Sequence, residues 1–145
     1  MSDRAFIDTN ILVYAFGSSG DLREVRAWEL LQDLLGTGTG AISTQVLQEF
    51  YVVMTRKIAT PLASKEVRAL IEQLEVLWVV LLDMSLIYRA IALVDEAAIG
   101  FWDGLIVGAA ERAGCGVLYS EDLNSGQTYG GVTVRNPFIS GNRSH

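Results

Sequence analysis

The sequence predicts an α/β protein with a central, mainly parallel sheet of four to five strands that is covered by helices on both faces. Two observations support this class. Short apolar segments alternate with longer segments of helical periodicity, and half of the 145 residues are hydrophobic. Alternating strands and helices are typical of parallel sheets, because a helix carries the chain back between successive parallel strands. The length suits one compact domain.

The predicted strands are short apolar segments. Four strands are expected, at residues 4–8, 41–42, 78–82 and 116–119. Residues 132–134 are a candidate fifth strand. The first and third consist of successive apolar residues without alternation, so we expect both to be buried within the sheet.

The segments between the strands carry helix signals. Over residues 21–35 apolar side chains recur at helical spacing, and Gly36 is the expected stop. Ser43 or Thr44 can cap the next helix. The further predicted helices extend from there to about residue 56, and over 64–77, 83–99 and 102–113. Residues 124–131, rich in Gly, Ser and Asn, are predicted to form a loop.

Three acidic residues lie where such a sheet places its ligands. Asp8 ends the first strand, Asp122 follows the fourth, and Asp103 opens the helix that leads into the fourth. Ligands of parallel sheets gather at the carboxyl ends of the strands. Each of these acids has an alternative interpretation as the cap of a helix or turn.

A fourth acid, Glu49, lies well inside its helix, where capping is excluded. Val46 and Val53 share its apolar face, and Asp103 has apolar residues at the same helical spacings. A carboxylate on a core-facing surface is costly unless a cation compensates its charge. Few basic residues share these faces, so we expect a metal. Oxygen ligands without a His or Cys set indicate Mg²⁺ or Mn²⁺.

Composition adds further expectations. The formal net charge of −6 disfavours a protein that holds nucleic acid by bulk charge, unless bound cations or a basic partner assist. No apolar segment is long enough to cross a membrane, and the N-terminus carries no apolar export signal. Both observations predict a cytoplasmic protein. The single Cys115 is expected to be a buried structural thiol. Residues 1–140 are expected to form the domain and 141–145, including His145, a flexible tail.

Four segments resemble, in order and spacing, the motifs of PIN-domain nucleases. They are residues 6–12 (FIDTNIL), 43–50 (STQVLQEF), 102–106 (WDGLI) and 118–123 (LYSEDL). Residues 122–127, 130–132 and 136–138 are also similar to a subgroup of the VapC-type toxins of bacterial type II toxin–antitoxin pairs. The resemblance covers nearly the whole chain.

This resemblance implies a three-layer α/β/α PIN-like fold and a metal-dependent endoribonuclease that hydrolyses RNA phosphodiester bonds. Its substrate would be an RNA such as tRNA or rRNA, and its protein partners would be a second copy of the chain and a cognate antitoxin. The implied catalytic and metal-binding residues are Asp8, Glu49, Asp103 and Asp122. A catalytically silent PIN-like module that binds RNA or protein remains the alternative.

Four neighbours of these acids are expected to support them: Thr9, Asn10, Ser120 and Glu121. The Thr9 and Ser120 hydroxyls could orient a carboxylate or the attacking water, or form local turn hydrogen bonds. Asn10 is expected to hydrogen-bond the Asp8 carboxylate, with capping of the following helix as the alternative. By motif position the ligand role goes to Asp122, and the role of Glu121 is left open.

Three further residues near the motifs have two interpretations each. Arg56 and Lys57 follow the Glu49 helix and either contact RNA phosphates or form a solvated helix end that the helix dipole favours. Trp102 is predicted to be a core residue, with stacking on an RNA base as the alternative.

Overall fold

The computed structural model describes residues 4–139 and contains a six-stranded, mainly parallel sheet. Its strands are β1 (Ala5–Ile7), β2 (Gly40–Ser43), β3 (Trp78–Val80), β4 (Val117–Tyr119), β5 (Thr128–Tyr129) and β6 (Val132–Arg135). The spatial order is β3-β2-β1-β4-β6-β5, and every neighbouring pair is parallel except β5 with β6. The predicted α/β class is therefore confirmed.

Six α-helices and one π-helical turn connect the strands. They are α1 (Thr9–Ala15), α2 (Leu22–Thr37), α3 (Thr44–Val52), the π-helical turn (Val53–Lys57), α4 (Ser64–Leu74), α5 (Met84–Ala97) and α6 (Phe101–Arg112). From β1 to β3 the chain moves in one direction across the sheet, and from β3 to β4 it reverses. Because such crossovers are right-handed, α1 to α4 cover one face and α5 and α6 the other. This confirms the three-layer arrangement.

The core is formed by strand side chains and by the helix faces that pack on them. Phe6 and Ile7 of β1 and Leu118 of β4 are completely buried, as is Phe50 of α3. Helices α5 and α6 pack closely at Gly104, which has no side chain. A Cβ added there would lie 3.0 Å from the carbonyl oxygen of Ala90. This close approach sets the position of the first turn of α6.

The sheet differs from the sequence prediction at its two edges. It has six strands where four to five were expected, because Thr128–Tyr129, in the predicted loop, pairs with β6 in antiparallel fashion. The third strand was expected to be buried, which is wrong: β3 is an edge strand, and Trp78 is 46% exposed beneath the Arg4 guanidinium. An apolar run alone does not distinguish a central strand from an edge strand that carries hydrophobic side chains.

Several helix ends also differ from their predicted positions. Helix α2 continues through Gly36 to Thr37 and is capped by Gly38, whose φ of 70° lies in the left-handed region that glycine favours. Helix α4 ends at Leu74, three residues early, and the segment after α3 is π-helical up to Lys57. Asp83, the first residue of the predicted helix 83–99, caps α5 by accepting a hydrogen bond from the Leu86 N–H.

Three further predictions concern the single cysteine, membrane-spanning segments and the C-terminal tail. Cys115 is buried and free, as predicted, and burial raises its thiol pKa to about 11. Within residues 4–139, no helix combines the length and the apolar character needed to span a bilayer. The predicted tail 141–145 lies outside the described residues.

Candidate active site

The four predicted acids lie at one edge of the sheet. Asp8 follows β1 directly, Asp122 follows β4, Glu49 lies in the helix after β2, and Asp103 lies in the first turn of α6. β1 is the central strand between β2 and β4, and all three are parallel. The negative charges of Asp122 and Glu49 raise the pKa of both Asp8 and Asp103, which places all four acids in one electrostatic site.

Asp8 is the buried centre of this site. Only 6% of the residue is exposed, and its Oδ1 caps α1 by accepting a hydrogen bond of 2.8 Å from the Thr9 N–H. Its Oδ2 accepts a hydrogen bond of 2.8 Å from the Ser120 hydroxyl. Burial is the main cause that raises the Asp8 pKa to about 6, against the opposing effect of these hydrogen bonds. Asp8 is thus both a helix cap and a poorly compensated acid.

Glu49 is held by neutral donors on both of its carboxylate oxygens. The Thr9 hydroxyl donates to Oε1 at 2.5 Å, and the Gln45 amide donates to Oε2 at 3.3 Å. Thr9 belongs to α1, so its hydroxyl joins the helix after β1 to the helix after β2. Neither donor carries a charge, and the negative charge of Glu49 stays uncompensated.

Asn10 and Ser120 connect Asp122 to the rest of the site. The Asn10 amide nitrogen donates to Asp122 Oδ2 at 3.0 Å and lies 3.5 Å from Asp8 Oδ2. Its oxygen accepts a hydrogen bond from the Glu121 N–H, and Ser120 Oγ accepts one from the Asp122 N–H. Asn10 thus contacts Asp122 more closely than Asp8, the partner expected from the sequence.

The adjacent acids Glu121 and Asp122 have different surroundings. Glu121 accepts hydrogen bonds from the Tyr14 hydroxyl at 3.0 Å and from the Arg23 guanidinium at 3.2 Å. Arg23 also pairs with Asp21 and lies over the Tyr14 ring. Glu121 therefore has its own cation, whereas within residues 4–139 the Asp122 carboxylate has the Asn10 amide as its hydrogen-bond donor. This difference favours Asp122 as the functional acid of the pair.

Asp103 is half-buried in the first turn of α6, where the helix dipole favours a carboxylate. Its carboxylate forms no hydrogen bond or ion pair within residues 4–139. Burial is the main cause that raises its pKa, and the charges of Asp122 and Glu49 add to it. Its carboxylate is thus available for a ligand.

The charge balance of the site fits a divalent cation. No Lys or Arg in the described chain forms a salt bridge with any of the four acids. The four side chains would offer a metal ion oxygen ligands only. No group of three or more His, Cys, Asp or Glu side chains among residues 4–139 is close enough to hold an ion. The carboxylate oxygens are of the ligand type that Mg²⁺ and Mn²⁺ prefer.

A cleft of about 720 Å³ opens beside the acids. It is lined by Thr9, Asn10, Val13, Tyr14, Gln48, Glu49, Val52, Val53, Lys57, Glu121 and Asp122. Lys57 forms no salt bridge within the described residues and supplies the cleft with a positive charge, whereas Arg56 does not line it. The prediction that Trp102 lies in the core is wrong, because it is 66% exposed beside Asp103.

Three neighbours of the acids were not found from the sequence. Gln45 precedes Glu49 by four residues, a helical spacing that could have indicated the contact. Tyr14 and Arg23 reach Glu121 across about a hundred residues of chain, for which the sequence carries no local signal.

Comparison with known proteins agrees with this architecture. The chain is similar to a toxin–antitoxin complex of Klebsiella pneumoniae, with a TM-score of 0.69 and 21% identity over 92% of this chain and 98% of that one. It is similar to a VapC toxin of Mycobacterium tuberculosis described as cleaving the sarcin–ricin loop, with a TM-score of 0.62 and 20% identity over 81% and 89%. A DNA-bound VapBC of Salmonella typhimurium gives a TM-score of 0.63 and 19% identity over 94% and 99%.

At these identities the likeness establishes the fold. No curated protein matches the chain significantly in sequence. The sequence model of the PIN domain, however, matches residues 5–129, which include all four acids. The chain therefore belongs to the PIN-domain family.

Proposed function

We propose that the protein is a Mg²⁺- or Mn²⁺-dependent endoribonuclease and the toxin of a toxin–antitoxin pair. The observation that carries the proposal is the gathering of Asp8, Glu49, Asp103 and Asp122 at one sheet edge without a cation to compensate them. Maintaining such a site is costly for the fold unless it binds a positively charged ligand. Its position in a PIN domain makes hydrolysis of a nucleic acid the chemistry that fits best.

The four acids would hold the ion, directly or through water. A bound divalent ion lowers the pKa of an attacking water and offsets charge on the phosphate. The neutral donors Thr9 and Ser120 orient the carboxylates of Glu49 and Asp8, and Asn10 orients that of Asp122. Lys57 lies where it can contact a phosphate of the bound strand. The positive charge of Lys57 would attract RNA locally, although the chain's net charge of −6 disfavours binding by bulk charge.

RNA, a second copy of the chain and an antitoxin are the proposed partners. The support is the fold shared with solved toxin–antitoxin complexes and with a toxin described as cleaving the sarcin–ricin loop. An antitoxin with basic segments would complement the acidic site, and the cytoplasm is the compartment where cellular RNA would be met. We further propose that residues 1–140 form a single PIN-like nuclease domain.

The test is an RNA cleavage assay with matched controls. The purified chain is incubated with total RNA and Mg²⁺ or Mn²⁺, beside the Asp8→Asn variant and a sample containing EDTA. We expect discrete cleavage products that disappear in both controls. Cleavage that survives either control would refute the proposed chemistry.

The second candidate is a PIN-like module that binds RNA or protein without catalytic activity. It is favoured by one observation: residues 4–139 contain no group of three or more His, Cys, Asp or Glu side chains that could hold a metal ion. A module has no need to keep four poorly compensated acids, which argues for the nuclease. Absence of cleavage with every RNA, together with RNA or protein binding, would support the module.

A further inference from the structure

Gln45 is a buried polar residue whose hydrogen-bonding capacity is only half used. It lies in the first turn of α3 and is 5% exposed. Its Oε1 is the one buried side-chain nitrogen or oxygen in residues 4–139 that lacks a hydrogen-bond partner. Nearly all buried polar groups are hydrogen-bonded, so keeping this oxygen unpaired costs the fold stability, a cost that a role of the amide would explain.

The orientation of this amide is fixed by its neighbours. Its nitrogen lies 3.3 Å from Glu49 Oε2 and 3.3 Å from the carbonyl oxygen of Trp102. Both neighbours are acceptors, so a flipped amide would place its own oxygen against two oxygens. The nitrogen must face Glu49 and Trp102, and Oε1 is necessarily the end without a protein donor.

Gln45 also joins two elements that carry acids. Through its N–H group it connects Glu49 of α3 to the backbone of the first turn of α6, one residue before Asp103. Thr9 holds the other oxygen of Glu49 from α1. With a donor on each oxygen, the Glu49 carboxylate is fixed between α1 and α6.

We propose that Gln45 is a positioning residue of the metal site. Its N–H group orients the Glu49 carboxylate and ties it to the first turn of α6, which carries Asp103. This role rests on the proposed function, since it requires that the acids bind an ion. Removing a partner of a metal ligand commonly lowers metal affinity about 10- to 100-fold.

The test is Mn²⁺ binding by the full chain with Gln45→Met, a side chain of similar length without an amide. Free Mn²⁺ is measured by electron paramagnetic resonance during titration, and the melting temperature is measured without metal. We expect Mn²⁺ affinity to fall about tenfold or more. We expect the metal-free melting temperature to be unchanged or higher, because the unpaired buried carbonyl has been removed. The matched control is Gln73→Met on the exposed face of α4, which should bind Mn²⁺ like the wild type.

The outcomes separate this role from the proposed function. Wild-type Mn²⁺ affinity in Gln45→Met would overturn the role alone, whatever the melting temperature, because Gln45 would then be merely structural. A wild-type chain that binds no Mn²⁺ would overturn the role and the proposed function together. If Gln45→Met does not fold, Gln45→Asn keeps the amide but is too short to reach Glu49. That variant should show the same loss of affinity, and wild-type affinity in it would equally overturn the role.

Discussion

Replacing Asp8 by Asn should stabilise the metal-free protein while abolishing its activity. Asp8 is buried and its pKa is raised from 3.8 to about 6, chiefly by burial. In the unfolded chain the carboxyl titrates at its ordinary pKa. The folded state therefore holds this proton over a range of pH in which the unfolded state has lost it.

The sign of the effect follows from this difference. The contribution of Asp8 to stability is fully present below about pH 4 and is lost as pH rises through about 6. A shift of about two pKa units corresponds to about 3 kcal/mol of unfolding free energy at pH 8. The amide introduced by Asp8→Asn cannot ionise, so this variant avoids the loss. The altered hydrogen bond with Ser120 offsets part of the gain, and we expect a net stabilisation of about 1–3 kcal/mol at pH 8.

The assay is urea unfolding followed by circular dichroism at several pH values between about 5 and 8, at constant ionic strength with EDTA present. The measured quantity is the difference in unfolding free energy between Asp8→Asn and the wild type, which cancels the titration of other groups. It should grow with pH. The control is Asp95→Asn, which removes a carboxylate at an exposed position on α5, away from the four acids.

Added Mg²⁺ should make the wild type more stable than Asp8→Asn. An ion that binds only the folded wild type stabilises it by mass action, and the Asp8→Asn variant gains less. A difference between the two proteins that is constant with pH would refute the argument from burial. So would a metal-free wild type that is more stable than Asp8→Asn at pH 8.

Three further outcomes are expected. Glu121→Gln should keep most of the nuclease activity, because Glu121 is paired with Arg23, whereas Asp122→Asn should lose nearly all of it; equal losses in cleavage rate would contradict this assignment. Trp102→Leu should weaken binding of single-stranded RNA by about 1–3 kcal/mol through lost stacking, measured by fluorescence anisotropy on an inactive background, whereas an equal loss in Trp78→Leu would argue against a specific role. Ala98→Gly should raise the free energy of unfolding by about 0.5–1 kcal/mol, since Ala98 has a φ of 55°; a lower urea midpoint would refute this.

The central features were predictable because they depend on local signals. Short apolar segments that end in acids, separated by helices, determine both the parallel sheet and the edge at which Asp8 and Asp122 meet. Glu49 was predictable because an acid on an apolar helix face has few structural explanations. Each inference needed only neighbouring residues and the periodicity of one element.

The features that were missed depend on tertiary packing. Trp102 is exposed because the close approach of Gly104 to Ala90 decides which face of α6 points inwards, and the sequence pattern does not reveal that contact. Likewise, β3 carries apolar residues but lies at an edge, which only the strand order determines. The pairing of Glu121 with Arg23 joins residues 98 positions apart.

The π-helical turn after α3 has a consequence for the polarity of the cleft. At its end the Ile58 N–H donates to the Val53 carbonyl, five residues back, so this turn contains one residue more than an α-helical turn. Each residue turns an α-helix by about 100°, so loss of one residue here would carry Lys57 around the axis and away from the acids. The length of this one turn thus determines whether a cation or a neutral side chain faces the cleft. Relatives that differ by one residue at this point would differ in the charge of the cleft, even with every acid unchanged.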